Sequence, residues 1–179
     1  FLELLSLPPP GQARRRQFVR FETNRGHFGL PSFRYLPIAV RDADETPFGL
    51  RVARPEFMAL AHLIEHADPG RTPVSSLPGR PPRFVKDIGR AISIWWLAGE
   101  QSGSAPAAWH DAWRRLAQNA GPYDSSDLKR RAILGLANVA DEVTVAHEVA
   151  VTGVLAPHGT TRAAFERAYA GLSDLVKNW

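Results

Sequence analysis

VTVAHEVAVT, residues 143–152, reads two ways. Val143, Val145, Val149 and Val151 alternate at period two, as in a half-buried strand. Ala146, Ala150 and the flanking acids Glu142 and Glu148 favour a helix instead. We read it as helix. The choice decides the fold of the second half, because every other segment there has helical spacing.

Upstream, Ser125 or Ser126 can cap one long helix carrying Leu128, Ala132, Leu136, Val139, Val143 and Val154. Downstream, Thr160 or Thr161 can cap a last helix with the stripe Phe165, Tyr169, Leu172 and Val176. Further back, Val85, Ile88, Ile92 and Trp95 share one side of a helix over 84–99. Ser104 and Pro106 open another with Trp109, Trp113 and Leu116, and GPY (121–123) ends it. Residues 84–179 therefore form a helical lobe of about four helices.

The first half reads differently. Residues 1–16 are an arm in which PPPGQARRR (8–16) favours extended polyproline geometry. Residues 17–68 form a small lobe of strands and one helix. QFVRFET (17–23), FRYLPIAVR (33–41) and FGLRVA (48–53) are rich in aromatic and β-branched residues, as strands are. NRGHFGLP and DADETP between them have loop composition, and Pro37 marks the second strand as an edge. A helix follows from about Arg54 to Ala67, with Pro55 in its first turn and DPG after its end. Five prolines in residues 69–83 make a linker. The expected fold class is α+β: a small N-terminal antiparallel sheet plus one helix, then a C-terminal bundle of about four helices.

The length of 179 residues suits one domain, or two small lobes sharing a core. The chain has no cysteine, which excludes disulfides, thiol catalysis and cysteine-based metal or redox sites. It suits a reducing cytoplasm, and FLELLSLPPPG lacks the basic start and cleavage site of a signal peptide. The most apolar run, AISIWWLAG, is too short to span a bilayer, so no membrane role is expected. The Arg, Ala and Pro bias matches a GC-rich, bacterial genome.

Charge is uneven. Residues 1–90 carry fourteen basic against nine acidic side chains, and residues 91–179 carry eight against nine. Nineteen of the 22 basic residues are arginine, whose planar fork suits phosphate. Arg14, Arg15, Arg16, Arg20, Arg25, Arg34 and Arg41 interleave with Phe18, Phe21, Phe28, Phe33 and Tyr35. Phosphate-binding arginines and stacking aromatics are what single-stranded DNA or RNA binding needs. A plain amphipathic sheet, aromatics inward and arginines outward, uses the same residues. Trp95, Trp109 and Trp113 fit core stripes, while Trp96 falls about 100° off its stripe and is the candidate for a protein partner.

ALAHLIEHAD (59–68) holds the order H-x-x-E-H. His62 and His66, four apart on a helix, could share a metal ion, with Glu65 as base. LAHLIEH resembles the zinc segment of pitrilysin-type metallopeptidases, whose order is that of the inverzincins. The resemblance implies zinc held by His62, His66 and a downstream acid, Glu142, in a zinc-dependent hydrolase. Facing argues otherwise. Phe57, Leu60, Ala61, Ile64 and Ala67 make the buried stripe, and both histidines turn away from it. We therefore expect a solvated helix face and no cofactor.

His147 lies on the apolar side of 143–152 under either reading, so we expect a hydrogen-bonded core histidine. PHGTTR (157–162) reads as an N-cap, with an anion pocket using Arg162 as the alternative. No P-loop and no G-x-S-x-G is present. The leading expectation is a non-enzymatic, basic nucleic-acid-binding subunit of a larger assembly, contacting phosphates through Arg14, Arg15, Arg16, Arg20, Arg25 and Arg34. The alternatives are a protein-interaction or regulatory domain and the zinc hydrolase.

Overall fold

The computed structural model describes residues 6–7, 18–70, 79–101, 103, 105–118 and 123–179. The Pro/Arg arm, with Arg14, Arg15 and Arg16, and most of the Pro-rich linker lie outside the described residues. In chain order the elements are β1 (Phe18–Thr23), β2 (Gly26–Pro31), α1 (Leu36–Ala39), β3 (Asp44–Glu45), β4 (Arg51–Val52), α2 (Pro55–Glu65) and α3 (Arg83–Gln101). There follow α4 (Ala105–Gln118), α5 (Ser125–Ala137), α6 (Val143–Val151) and α7 (Arg162–Asn178). The fold is α+β, with a small antiparallel sheet and a helix ahead of a C-terminal helical region.

β1 and β2 pair antiparallel with Phe21 opposite Phe28 and Thr23 opposite Gly26. Gly26 sits at φ 121, which suits glycine at the exit of the tight turn. The Thr23 hydroxyl accepts from the Arg25 N–H at 3.1 Å and donates to the Gly26 carbonyl at 3.0 Å. The loop composition of 24–31 thus misled, since β2 covers most of it. Residues 33–41 are not a strand. Pro37 lies in the first turn of α1, where its missing N–H costs nothing, and Ile38 and Ala39 face the core. Only Arg51 and Val52 of the third expected strand pair, with Asp44 and Glu45.

α2 is the centre of the molecule. It packs against α1, α3, α4 and α5. Phe57 and every residue from Ala59 to Ile64 are buried, so the helix is enclosed on nearly every side. At Gly135 of α5 an added Cβ would stand 1.9 Å from the Leu63 carbonyl oxygen, so the two backbones are in contact there. α3 approaches α6 likewise at Gly89, whose Cβ would lie 3.1 Å from the Ala146 carbonyl. The core runs as one cluster from Phe33 to Val176.

Residues 143–151 are helical, as their alanines and acids indicate. The long helix expected from Ser125 to Val154 is broken. α5 ends at Ala137, a 3-10 turn spans Ala140–Glu142, and α6 starts afresh. The break has a cause: the Asn138 amide donates to the His66 and Ala67 carbonyls at 2.9 and 3.1 Å, capping α2 rather than continuing α5. Val154 is exposed and Leu155 takes the buried place. Asp124, not a serine, caps α5 by accepting from the Ser126 N–H at 2.8 Å. Thr161 caps α7 by accepting from the Ala164 N–H at 3.2 Å.

Candidate nucleic-acid interface and buried histidine cluster

Strand alternation sorts the hairpin into two faces. Val19, Phe21, Phe28 and Leu30 share one, and Phe18, Arg20, Glu22 and His27 share the other. Val19, Leu30 and Pro31 are half-buried, while the three phenylalanine rings are exposed. Phe18 is 59% exposed, Phe21 41% and Phe28 52%. A half-buried amphipathic sheet would have hidden the Phe21–Phe28 face, and this one does not. Isolated two-stranded hairpins are marginal in water, and this one leaves apolar rings open to solvent.

Arg20, Arg25 and Arg34 are all exposed. Arg20 reaches Glu22 at 3.4 Å in a solvent-exposed pair of little strength, and Glu22 also faces His27 at 3.7 Å. Arg25 projects from the turn. The Arg34 guanidinium lies 5.3 Å from the Tyr35 ring centroid, a cation–π contact that orients it. Other arginines of this half are occupied. Arg54 pairs with Asp44 at 3.5 Å and Glu56 at 3.9 Å, and Arg51 donates to the Val40 carbonyl at 3.4 Å. The basic, aromatic surface is therefore the hairpin with Arg34, not the β3–β4 ribbon.

The histidines of H-x-x-E-H are buried, contrary to the facing argument. α2 has more than one covered side, because α3 packs over the one that carries them. His66 Nε2–H donates to Asp87 Oδ2 at 3.0 Å, and Arg83 Nε–H donates to the same oxygen at 3.2 Å. Burial alone would raise the Asp87 carboxyl. The His66 hydrogen bond and the charges of His62, His66 and Arg83 hold it well below the usual carboxylate range. His62 is pushed down to about 4 by burial, against the pull of Asp87 and with the push of Arg90, His66 and Arg83. Among the described residues its Nε2 has no hydrogen-bond partner, and its ring lies 5.7 Å from Phe33. Burial raises Glu65. The cluster is a charged clamp tying the end of α2 to the start of α3.

No group of three His, Asp or Glu with metal-holding geometry exists among the described residues. His62, His66 and Glu142 thus do not form a ligand set. Glu142 closes the 3-10 turn before α6, while His66 is committed to Asp87. The resemblance to the metallopeptidases stops at the string of letters. Asp87 has a signal in the sequence that the motif H-x-x-E-H hides: an acid four residues after Arg83, amid Val85, Ile88 and Ile92.

His147 is a satisfied, half-buried histidine: its Nε2 meets the Thr160 carbonyl at 2.9 Å and its ring packs 5.4 Å from Phe165. In PHGTTR, Thr161 caps α7 and Arg162 pairs with Glu166 at 3.4 Å at the surface. Trp95 meets Trp109 edge-to-face at 5.0 Å and Trp109 meets Trp113 at a tilt at 5.8 Å, while Trp96 stands apart, half-buried, edge-on to His158 at 6.0 Å. Also missed were Phe48, 88% exposed, and its neighbours Leu50 and Val52. No described helix is long and apolar enough to cross a membrane. No protein-family model matches the chain, and neither the curated proteins nor the solved structures contain a match.

Proposed function

We propose that the protein is a non-enzymatic subunit that binds single-stranded nucleic acid across its N-terminal hairpin. The observation that carries this reading is the exposure of Phe21 and Phe28 on one face of the hairpin and of Phe18 with Arg20 on the other, with Arg25 exposed at the turn and Arg34 exposed just beyond β2. An aromatic ring on an open sheet face stacks on any base, for about 1–3 kcal/mol each. The arginines supply phosphate contacts and release counterions. Arg14, Arg15 and Arg16 precede β1 in sequence and extend the same charge. A cytoplasmic setting suits the cysteine-free chain.

A second reading concerns the β3–β4 ribbon. Phe48, Leu50 and Val52 are exposed there beside Asp44 and Glu45. Acids repel phosphate, so this surface favours a protein neighbour and fits a subunit of a larger assembly. Fluorescence anisotropy with labelled oligo-U and oligo-dT tests the first reading, with a duplex as control. The single strands should bind more tightly than the duplex and lose affinity steeply with salt. Absence of binding at low salt sinks it.

A further inference from the structure

We infer that two copies of this chain associate about a twofold axis through the groove between α3 and α7. The groove encloses about 330 Å³. Trp95 and Trp96 form its wall on α3, and small residues, Gly99, Ala164 and Ala168, keep it open. Glu100 borders it on α3 and Arg167 on α7. Neither charge forms an ion pair among the described residues. Trp96 and Glu100, four residues apart, make a ridge along one side of α3.

Opposite charges on opposite rims decide the occupant. A partner surface of one sign would meet one rim favourably and be repelled by the other. A second copy turned by 180° satisfies both, since Glu100 of each copy meets Arg167 of the other. The same rotation lays each Trp96–Glu100 ridge into the opposing groove, as ridges pack into grooves between helices. Trp96 then fills the role of a buried aromatic anchor, the type of residue that dominates interface energy. A stable interface needs about 1,200–2,000 Å² in total, so the flanking surfaces of α3 and α7 must join the groove.

Sedimentation velocity over a concentration series tests this with four proteins: the wild type, E100R, R167E and the double variant E100R/R167E. Both side chains are exposed, and circular dichroism verifies that each variant keeps its helices. The wild type should dimerise reversibly. Each single reversal, which sets like charges face to face, should weaken the dimer at least tenfold, and the double variant should restore it. A monomeric wild type at hundreds of micromolar overturns the inference. So does a dimer indifferent to the single reversals, or one that the double variant fails to restore, as would occur if a zwitterionic peptide segment were the true occupant.

Discussion

His62 is the residue whose chemistry reaches furthest into the stability of the molecule. Its folded pKa, about 4, lies below its ordinary 6.5. The unfolded chain therefore takes up a proton between pH 6.5 and 4 that the folded chain refuses. Stability is full above 6.5 and falls as the pH drops toward 4, by about 3 kcal/mol over the window. Glu65, raised by burial, works in the opposite direction and softens the fall. Asp87, held low, adds stability that is present above the ordinary aspartate range and drains away as the pH falls from that range toward its folded value. Urea denaturation at several pH values should show this slope in the wild type and a flatter one in His62→Leu. An equal slope in both would mean that another group refuses the proton. His66→Ala removes the hydrogen bond that balances buried Asp87, and should cost about 3 kcal/mol in the same assay. The two histidines could not be placed from the sequence. A helical wheel shows which side is most apolar, not how many sides a neighbour covers.

Among elements, α2 and α5 make the tightest joint. Gly135→Ala would drive a Cβ into the Leu63 carbonyl at 1.9 Å, a clash with backbone that no side-chain rotation relieves. We expect a loss of more than about 4 kcal/mol, seen as failure to fold or a large drop in denaturation midpoint. Thr161→Ala is the contrasting case: it removes one cap hydrogen bond from α7 and should cost about 1 kcal/mol. A cost near zero would place the start of α7 under tertiary rather than local control. These helices were mostly legible, since Val85–Ile88–Ile92 and Phe165–Leu172–Val176 mark buried stripes whatever they pack on. α1 was not. Pro37 and its β-branched neighbours suit an edge strand, and only burial of Ile38 and Ala39 against α2 decides for a helical turn. The break between α5 and α6 was equally hidden, because Asn138 stops the helix by bonding residues more than seventy positions earlier.

At the scale of the whole molecule, the division of labour follows charge and cover. The helices bury a common core, while the hairpin leaves its phenylalanines and two arginines open, with Arg34 exposed just after it. The ingredients of that surface stood in the sequence. What did not was whether anything lies behind the sheet, since Phe–x–x–Phe spacing looks alike on a covered and an uncovered strand. The direct measurement is anisotropy of a labelled single-stranded oligonucleotide over a salt series, for the wild type and two variants. Phe21→Ala/Phe28→Ala should lose at least tenfold in affinity while keeping its salt slope, because stacking releases no counterions. Arg20→Gln/Arg25→Gln/Arg34→Gln should flatten the slope by about 2, near 0.7 for each phosphate that is no longer neutralised. If the oligonucleotide does not bind at low salt, or if both variants bind it as the wild type does, the hairpin is not a nucleic-acid platform.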